Sequence, residues 1–178
     1  MAALRVAVII GSTREGRAGD TVAGWFLARA GRPDGVELAV IDLIDYKLPS
    51  RYPARATPAM AALAASIGRA DAFVVVTPEY NRSFPASLKQ AIDCAYDEWR
   101  AKAVGFVSYG SGSDGVHAVE QLRCVFTELH AVTVRDEVRV DLMRPLPHDA
   151  RAVTTMLDQL IWWGEALRDA RAARPYVS

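Results

Sequence analysis

Leu4-Arg5-Val6-Ala7-Val8-Ile9-Ile10-Gly11-Ser12-Thr13-Arg14-Glu15-Gly16-Arg17-Ala18-Gly19-Asp20 decides how this chain is read. A β-branched apolar run stops at Gly11. A loop of glycine, hydroxyl and arginine follows, and Thr21–Ala28 continues as a helix. Strand, short polar loop and helix together aim backbone N–H groups and the positive end of a helix at one point, which suits an anion. Ser12 and Thr13 add hydroxyl donors there, and Arg14 and Arg17 add charge. The expectation is a bound phosphate. No Gly-Lys-Ser/Thr follows, so the loop is not a triphosphate cradle, and Ser12-Thr13 interrupts any G-x-G-x-x-G pattern.

Further apolar runs repeat the first. Leu4–Ile10, Val36–Ile41, Ala72–Thr77 and Ala103–Tyr109 read as strands buried on both faces, and Val132–Val140 as a charged edge strand. Helical periodicity fills the gaps, over about Asp20–Arg29, Thr57–Arg69, Pro85–Tyr96, Val116–Leu129 and Ala150–Ala172. Asp20 is read as the first N-cap, and Thr57 before Pro58 as the second. Alternating strands and helices predict a parallel sheet with helices on both faces. Five of each in one domain over residues 1–178 is the size of the flavodoxin-like three-layer α/β sandwich. Its five-stranded parallel sheet has the order 2-1-3-4-5, and its ligand lies at the carboxyl ends of the strands. Asp45–Arg55 is irregular, held extended by Pro49 and Pro53, and Arg174–Ser178 is a loose tail.

Composition narrows the function classes. The 21 Lys and Arg balance 21 Asp and Glu, which argues against nucleic acid or a membrane surface as partner. No apolar run is long enough to span a bilayer, and Met1-Ala2-Ala3 leads straight into a strand, so a soluble cytoplasmic protein is expected. Cys94 and Cys124 read as two buried free thiols. His117, His130 and His148 show no ligand spacing, so no metal site is expected. Each reads as a solvated or capping histidine, and Lys89 as solvated. The four tryptophans read as packing or interface residues.

Two more loops reach the same sheet edge. Thr77-Pro78-Glu79-Tyr80-Asn81-Arg82-Ser83-Phe84-Pro85 offers an aromatic wall, an amide and backbone donors, a mixture suited to a planar heterocycle. Ser108-Tyr109-Gly110-Ser111-Gly112-Ser113-Asp114-Gly115 has three glycines that let backbone approach a flat ligand. Asp42, at the end of the second strand, reads as a turn cap rather than a ribose ligand.

With the three loops together the sequence resembles the NAD(P)H-dependent FMN reductase family. The carriers are Gly11-Ser12-Thr13-Arg14-x-Gly16-Arg17-x-Gly19, the run from Thr77-Pro78-Glu79-Tyr80-Asn81 through Lys89-x-Ala91-Ile92-Asp93, and Tyr96-x-Glu98-Trp99. The resemblance implies that Ser12, Arg14 and Arg17, with the backbone of the loop through Gly19, bind the FMN phosphate. It implies that Pro78, Glu79, Tyr80 and Asn81 line the ribityl chain and ring edge, and that Ser108, Tyr109 and Gly110 pack on the other side of the ring. It further implies a homodimer, or a tetramer of two such dimers, built on the third and fourth helices with Tyr96 and Trp99 at the interface. The fourth loop departs from the family pattern. Ser111 and Asp114 stand at glycine positions, and His117 where an arginine is usual.

The activity so implied is electron transfer from NAD(P)H through bound flavin to a small-molecule acceptor such as a quinone or free flavin. The flavin does the chemistry, so no catalytic acid, base or nucleophile is expected from the chain. Two alternatives stay open: a flavodoxin-like electron carrier without its own substrate, and a tailoring flavin reductase for one metabolite.

Overall fold

A computed structural model describes residues 2–177. Met1, read as leading into the first strand, and Ser178, read as part of the loose tail, lie outside the described residues. Strand β1 (Leu4–Ile10) runs between β2 (Val36–Asp42) and β3 (Ala72–Pro78), and β4 (Ala103–Gly110) follows β3. Every pair is parallel: Val8 stands beside Val40 and Val74, and Val75 beside Phe106. Two short strands, β5 (Val132–Thr133) and β6 (Val138–Asp141), complete the outer edge of β4. The order β2-β1-β3-β4-β5, with β6 also on β4, is the doubly wound order that the alternating pattern predicts.

Side chains alternate across the strands, so each central strand feeds two cores. Leu4, Val6, Val8 and Ile10 of β1, with Val74 and Val76 of β3, pack under α1 (Gly19–Ala30) and α5 (Arg151–Ala173). Ala7, Ile9, Phe73 and Val75 pack under α2 (Pro58–Arg69), α3 (Ala86–Asp93) and α4 (Val116–Glu128). Each fully buried Val, Leu or Ile contributes about 1.5–3 kcal/mol. Helix α5 lies close against β4 because Gly105 has no side chain; a Cβ there would stand 2.5 Å from Met156 Sδ. Thr57 caps α2, its hydroxyl accepting from Met60 N–H at 3.3 Å, as its place before Pro58 predicts. Among the described residues no helix is long and apolar enough to cross a membrane.

Several expectations need correction. Strand β2 is not buried on both faces: it is the sheet edge, and Glu37, Ala39 and Val40 are exposed. The fifth strand is broken in two because residues 135–137 leave the ladder. Arg123 donates to the Val134 and Arg135 carbonyls and to Glu137, and Gln159 bonds Asp136, so the charges are tied outside the sheet. Helix α1 begins on Ala18 rather than Asp20, and α3 ends at Asp93, short of Tyr96. The cysteines are free but not both buried; Cys94 is partly covered and Cys124 exposed. Trp99 is not an interface residue. It sits in the core at 1% exposure, its ring centroid 4.6 Å from that of Phe73 and 5.3 Å from that of Phe126. Its indole N–H donates to the Ile92 carbonyl at 3.1 Å.

At the amino ends of the strands lies a buried charge cluster. The Lys102 ammonium donates to the Ile67 and Gly68 carbonyls at the end of α2 and stands 5.5 Å from the Phe73 ring centroid. Asp71 pairs with Arg5 and Arg171 beside it. Burial, followed by the nearby Arg171, lowers the Lys102 pKa to about 8, against partial opposition from Asp71 and Glu98.

Two outcomes follow for stability. Trp99→Ala should lower the unfolding free energy by about 3–5 kcal/mol in urea titration, while Trp162→Ala, on the exposed face of α5, should stay within about 0.5 kcal/mol. The second concerns pH. Above about 8 the folded state releases the Lys102 proton, while the unfolded chain holds it to about 10.5. The unfolded state then binds more protons, so this residue's contribution to stability rises with pH across that window. The stability of wild type relative to Lys102→Met should therefore climb from pH 7 to pH 10, by on the order of 3 kcal/mol. A flat difference between the two curves would remove Lys102 as its source.

Candidate functional site

The carboxyl ends of β1, β3 and β4 present three loops side by side. In the first, Gly11 is pinned between β3 and α3: its N–H donates to the Val76 carbonyl and its carbonyl accepts from Ser87. Ser12 is fully buried, and its hydroxyl is 3.0 Å from the Tyr109 hydroxyl at the end of β4. Gly19 makes that contact possible, since a Cβ there would lie 2.5 Å from Ser12 Oγ. Between them Thr13–Gly16 project into solvent, with Gly16 left-handed at φ +67°. No side chain caps the amino end of α1, so its first N–H groups face the loop free of a side-chain acceptor.

The two arginines of this loop differ. Arg17 is held inward by Asp42, with contacts at 2.7 and 2.5 Å, and also reaches Asp20 and the Ser12 carbonyl. Asp42 additionally accepts from Ile44 N–H at 3.1 Å, which is the capping role its position predicts. Burial pushes the Asp42 carboxyl up, but hydrogen bonds from Arg17 and Ile44 and the charge of Arg17 bring it below the ordinary value. Arg14 is exposed and has no carboxylate partner among the described residues; its guanidinium carbon lies 5.9 Å from the Tyr80 ring centroid.

The second loop is a tight hairpin. Tyr80 and Ser83 exchange backbone hydrogen bonds of 2.8 and 3.0 Å around Asn81 and Arg82, whose φ angles are +51° and +64°. Asparagine tolerates the left-handed region, whereas arginine there is strained. The first turns of α4 hold the hairpin in place. Gln121 donates to the Arg82 carbonyl at 2.7 Å and accepts from the Ser83 hydroxyl at 2.6 Å. One turn earlier, His117 Nε2 is 2.6 Å from the Arg82 guanidinium.

Glu79 joins the second loop to the third. Its carboxylate accepts from His117 N–H at 3.1 Å and lies 3.2 Å from His117 Nδ1, so it caps α4 from outside that helix. Burial pushes Glu79 up, but hydrogen bonds from Ser113 and from the His117 backbone and ring outweigh it and keep the carboxyl below its ordinary value. With an arginine donor at Nε2 and a carboxylate acceptor at Nδ1, the partners assign the acceptor role to Nε2 and the N–H to Nδ1. The third loop turns at Gly112, Asp114 and Gly115, all with positive φ, while Ser108 donates to the Asp114 carbonyl at 2.7 Å. A Cβ on Gly115 would lie 2.5 Å from Ser108 Cβ, so only glycine lets this loop fold back on its strand. Burial raises the Tyr109 hydroxyl to about 12, so it stays a neutral partner for Ser12.

The structure thus gathers Ser12, Arg14, Arg17, Gly19, Pro78, Glu79, Tyr80, Asn81, Ser108, Tyr109 and Gly110 around one sheet edge. Within that set Arg14 and Asn81 are exposed, whereas Ser12, Ser108 and Tyr109 are buried supports. Sequence reasoning took His117 for a solvated or capping residue and did not single out Gln121. Their spacing of four on α4, opposite the hairpin, is the signal that links them. The cavity of about 460 Å³ lined by Ala101, His130, Leu167 and Arg174 lies at the other end of the sheet and touches none of these loops.

Residues 4–143 match the family described as NADPH-dependent FMN reductase. An NAD(P)H-dependent FMN reductase of Schizosaccharomyces pombe is 36% identical over 131 residues, which cover 68% of this chain and 64% of that protein. A quinone reductase of Pseudomonas putida is 35% identical over 127 residues, 65% of this chain and 67% of that one. The matched stretch therefore spans just under two thirds of the fission yeast relative. Among solved structures, the flavoenzyme NAD(P)H:(acceptor) oxidoreductase FerB of Paracoccus denitrificans superposes with a TM-score of 0.74 at 21% identity, over 94% of this chain and 98% of FerB. That likeness carries the fold, and the family match carries the lineage. The chain belongs to the NADPH-dependent FMN reductase family.

Proposed function

We propose that this chain is a single-domain FMN-dependent oxidoreductase that takes electrons from NADPH or NADH and delivers them to a small planar acceptor, a quinone or free flavin. The observation that carries this reading is the first loop. It combines an α1 amino end without a side-chain cap, an exposed Arg14 with no carboxylate partner, and Tyr80 beside it. Those are the donors that a phosphate on a flat cofactor requires, and the family supplies the cofactor class.

The residues present fit FMN. The N–H groups between Ser12 and Gly19, with Arg14, would hold its phosphate, while Arg17 would serve by bracing the loop against Asp42. Pro78, Glu79, Tyr80 and Asn81 would border the ribityl chain and ring edge. Ser108, Tyr109 and Gly110 would form the floor, the glycine-rich turn beyond them admitting a planar group. Bound flavin supplies hydride acceptance and electron transfer. The chain orients the ring, and the backbone N–H groups around it favour negative charge on its edge. Glu79, held as an anion by three donors, stays committed to α4.

We further assign a homodimer to the groove between α3 and α4, where exposed Tyr96 stands with Lys89, Cys124, Val125 and Leu129. The apolar lining supports a second copy there. Free Cys94 and Cys124 support a reducing compartment, the cytoplasm.

FMN added to the purified protein should bind and give a flavin absorption band. Arg14→Ala should weaken that binding by about 10- to 100-fold in fluorescence titration, the range of one charge-assisted phosphate contact. Arg32→Ala, in the exposed turn before β2, should change it less than twofold. Equal effects at the two positions would remove the phosphate role from the first loop. Anaerobic NADPH or NADH should bleach the bound flavin, and a quinone should restore the colour. A flavin that binds but is bleached by neither donor would favour an electron carrier.

A further inference from the structure

We infer that Arg82 receives a phosphate of the dinucleotide hydride donor, an assignment that rests on the oxidoreductase reading above. The argument begins with charge. Of the three arginines on the loops after β1, β3 and β4, Arg17 is neutralised by Asp42 and Asp20, and Arg14 belongs to the first loop. Arg82 is exposed at the tip of the hairpin and pairs with no carboxylate among the described residues. Its partner is the Nε2 of His117, a ring nitrogen and not a carboxylate, so no anion faces the guanidinium. The nearest carboxylate in the network, Glu79, lies on the far side of that imidazole and is filled by the His117 backbone and ring and by Ser113.

Backbone geometry adds a second, independent observation. Arginine at φ +64° is unfavourable, and nothing in the hairpin's own hydrogen bonds needs an arginine there. Gln121 and Ser83 nonetheless fasten this tip to α4 from two sides. Such a backbone persists only where its surroundings over-determine it, and here the bracing fixes a charged tip beside the loops of the site. The hairpin and the glycine-rich loop border the same end of the sheet and are tied together through Glu79 and His117, so a dinucleotide docked there would bring its phosphates within reach of the hairpin tip. A guanidinium fork suits two phosphate oxygens, and a doubly hydrogen-bonded anion holds it more strongly than a single ring nitrogen does. His117 then parks the arginine when no donor is present.

The test uses the FMN-loaded protein. Calorimetric titration with NADP+ and with NAD+ gives donor affinity apart from turnover, and steady-state rates with NADPH and NADH give KM and kcat. Arg82→Ala should raise the NADP+ dissociation constant and the NADPH KM by about tenfold or more, with kcat within about twofold and FMN affinity unchanged. Arg82→Lys should recover part of the loss, because it keeps charge without the fork. A loss shared by NAD+ assigns the diphosphate, and a loss confined to NADP+ assigns the 2′-phosphate; both support the proposal. Unchanged affinity for both nucleotides in Arg82→Ala overturns it, as does a lysine variant no better than alanine. So does loss of FMN itself in Arg82→Ala, since the role would then be support of the cofactor site. If the wild-type flavin is reduced normally, any of these results leaves the oxidoreductase reading standing; a wild-type flavin that neither donor reduces overturns both.

Discussion

Sealing β1, β3 and β4 under helices on both faces governs everything else in this molecule. A polar side chain has no place along such strands, because neither face offers it water or a partner. The buried polar residues obey that constraint. Ser12, Thr77 and Ser108 follow or end the strands at their carboxyl tips, and Asp71 and Lys102 sit just before β3 and β4. Chemistry is pushed to the two ends of the sheet, and the right-handed crossovers decide that the loops at one end are short and adjacent.

The two ends use charge in opposite ways. At the amino ends, Asp71 is shared by Arg5 and Arg171, and Lys102 is turned into the carbonyls that finish α2. Those charges are satisfied locally. At the carboxyl ends, two acidic residues are each consumed by a neighbour, Asp42 by Arg17 and Glu79 by the first turn of α4. Arg14 and Arg82 are left without carboxylates on either side of Tyr80 in the chain. These two guanidinium groups, rather than any net positive charge, are what this end of the sheet leaves available to a ligand.

Much of this was legible in the sequence, and what was not has a common cause. Strand alternation, the parallel order and the three loops follow from local patterns, and local patterns survive folding. Strand β2 was misread because a hexamer apolar but for Glu37 looks much the same whether a helix covers it or not; only its place at the edge exposes Val40. Arg14 and Arg17 stand in near-identical contexts, yet Asp42, far along the chain, takes one and leaves the other. Trp99 next to Tyr96 suggested an interface, but a short 3-10 turn over residues 97–99 swings its ring beneath α4. The Glu79–His117–Arg82 relay joins two residues of one loop to a helix more than thirty residues on, and no spacing rule foretells it.

The bond between Ser12 and Tyr109 spans the sheet, from the loop after β1 to the end of β4, over the end of β3. It is made by core residues, so it forms when the domain folds and not when a ligand arrives. The loop beside it therefore begins ordered, and a molecule that settles there has little conformational freedom left to remove from the protein. Binding strength at this edge is then written largely into folding stability. Damage far away, at Gly105 or Trp99, would loosen the site without touching it.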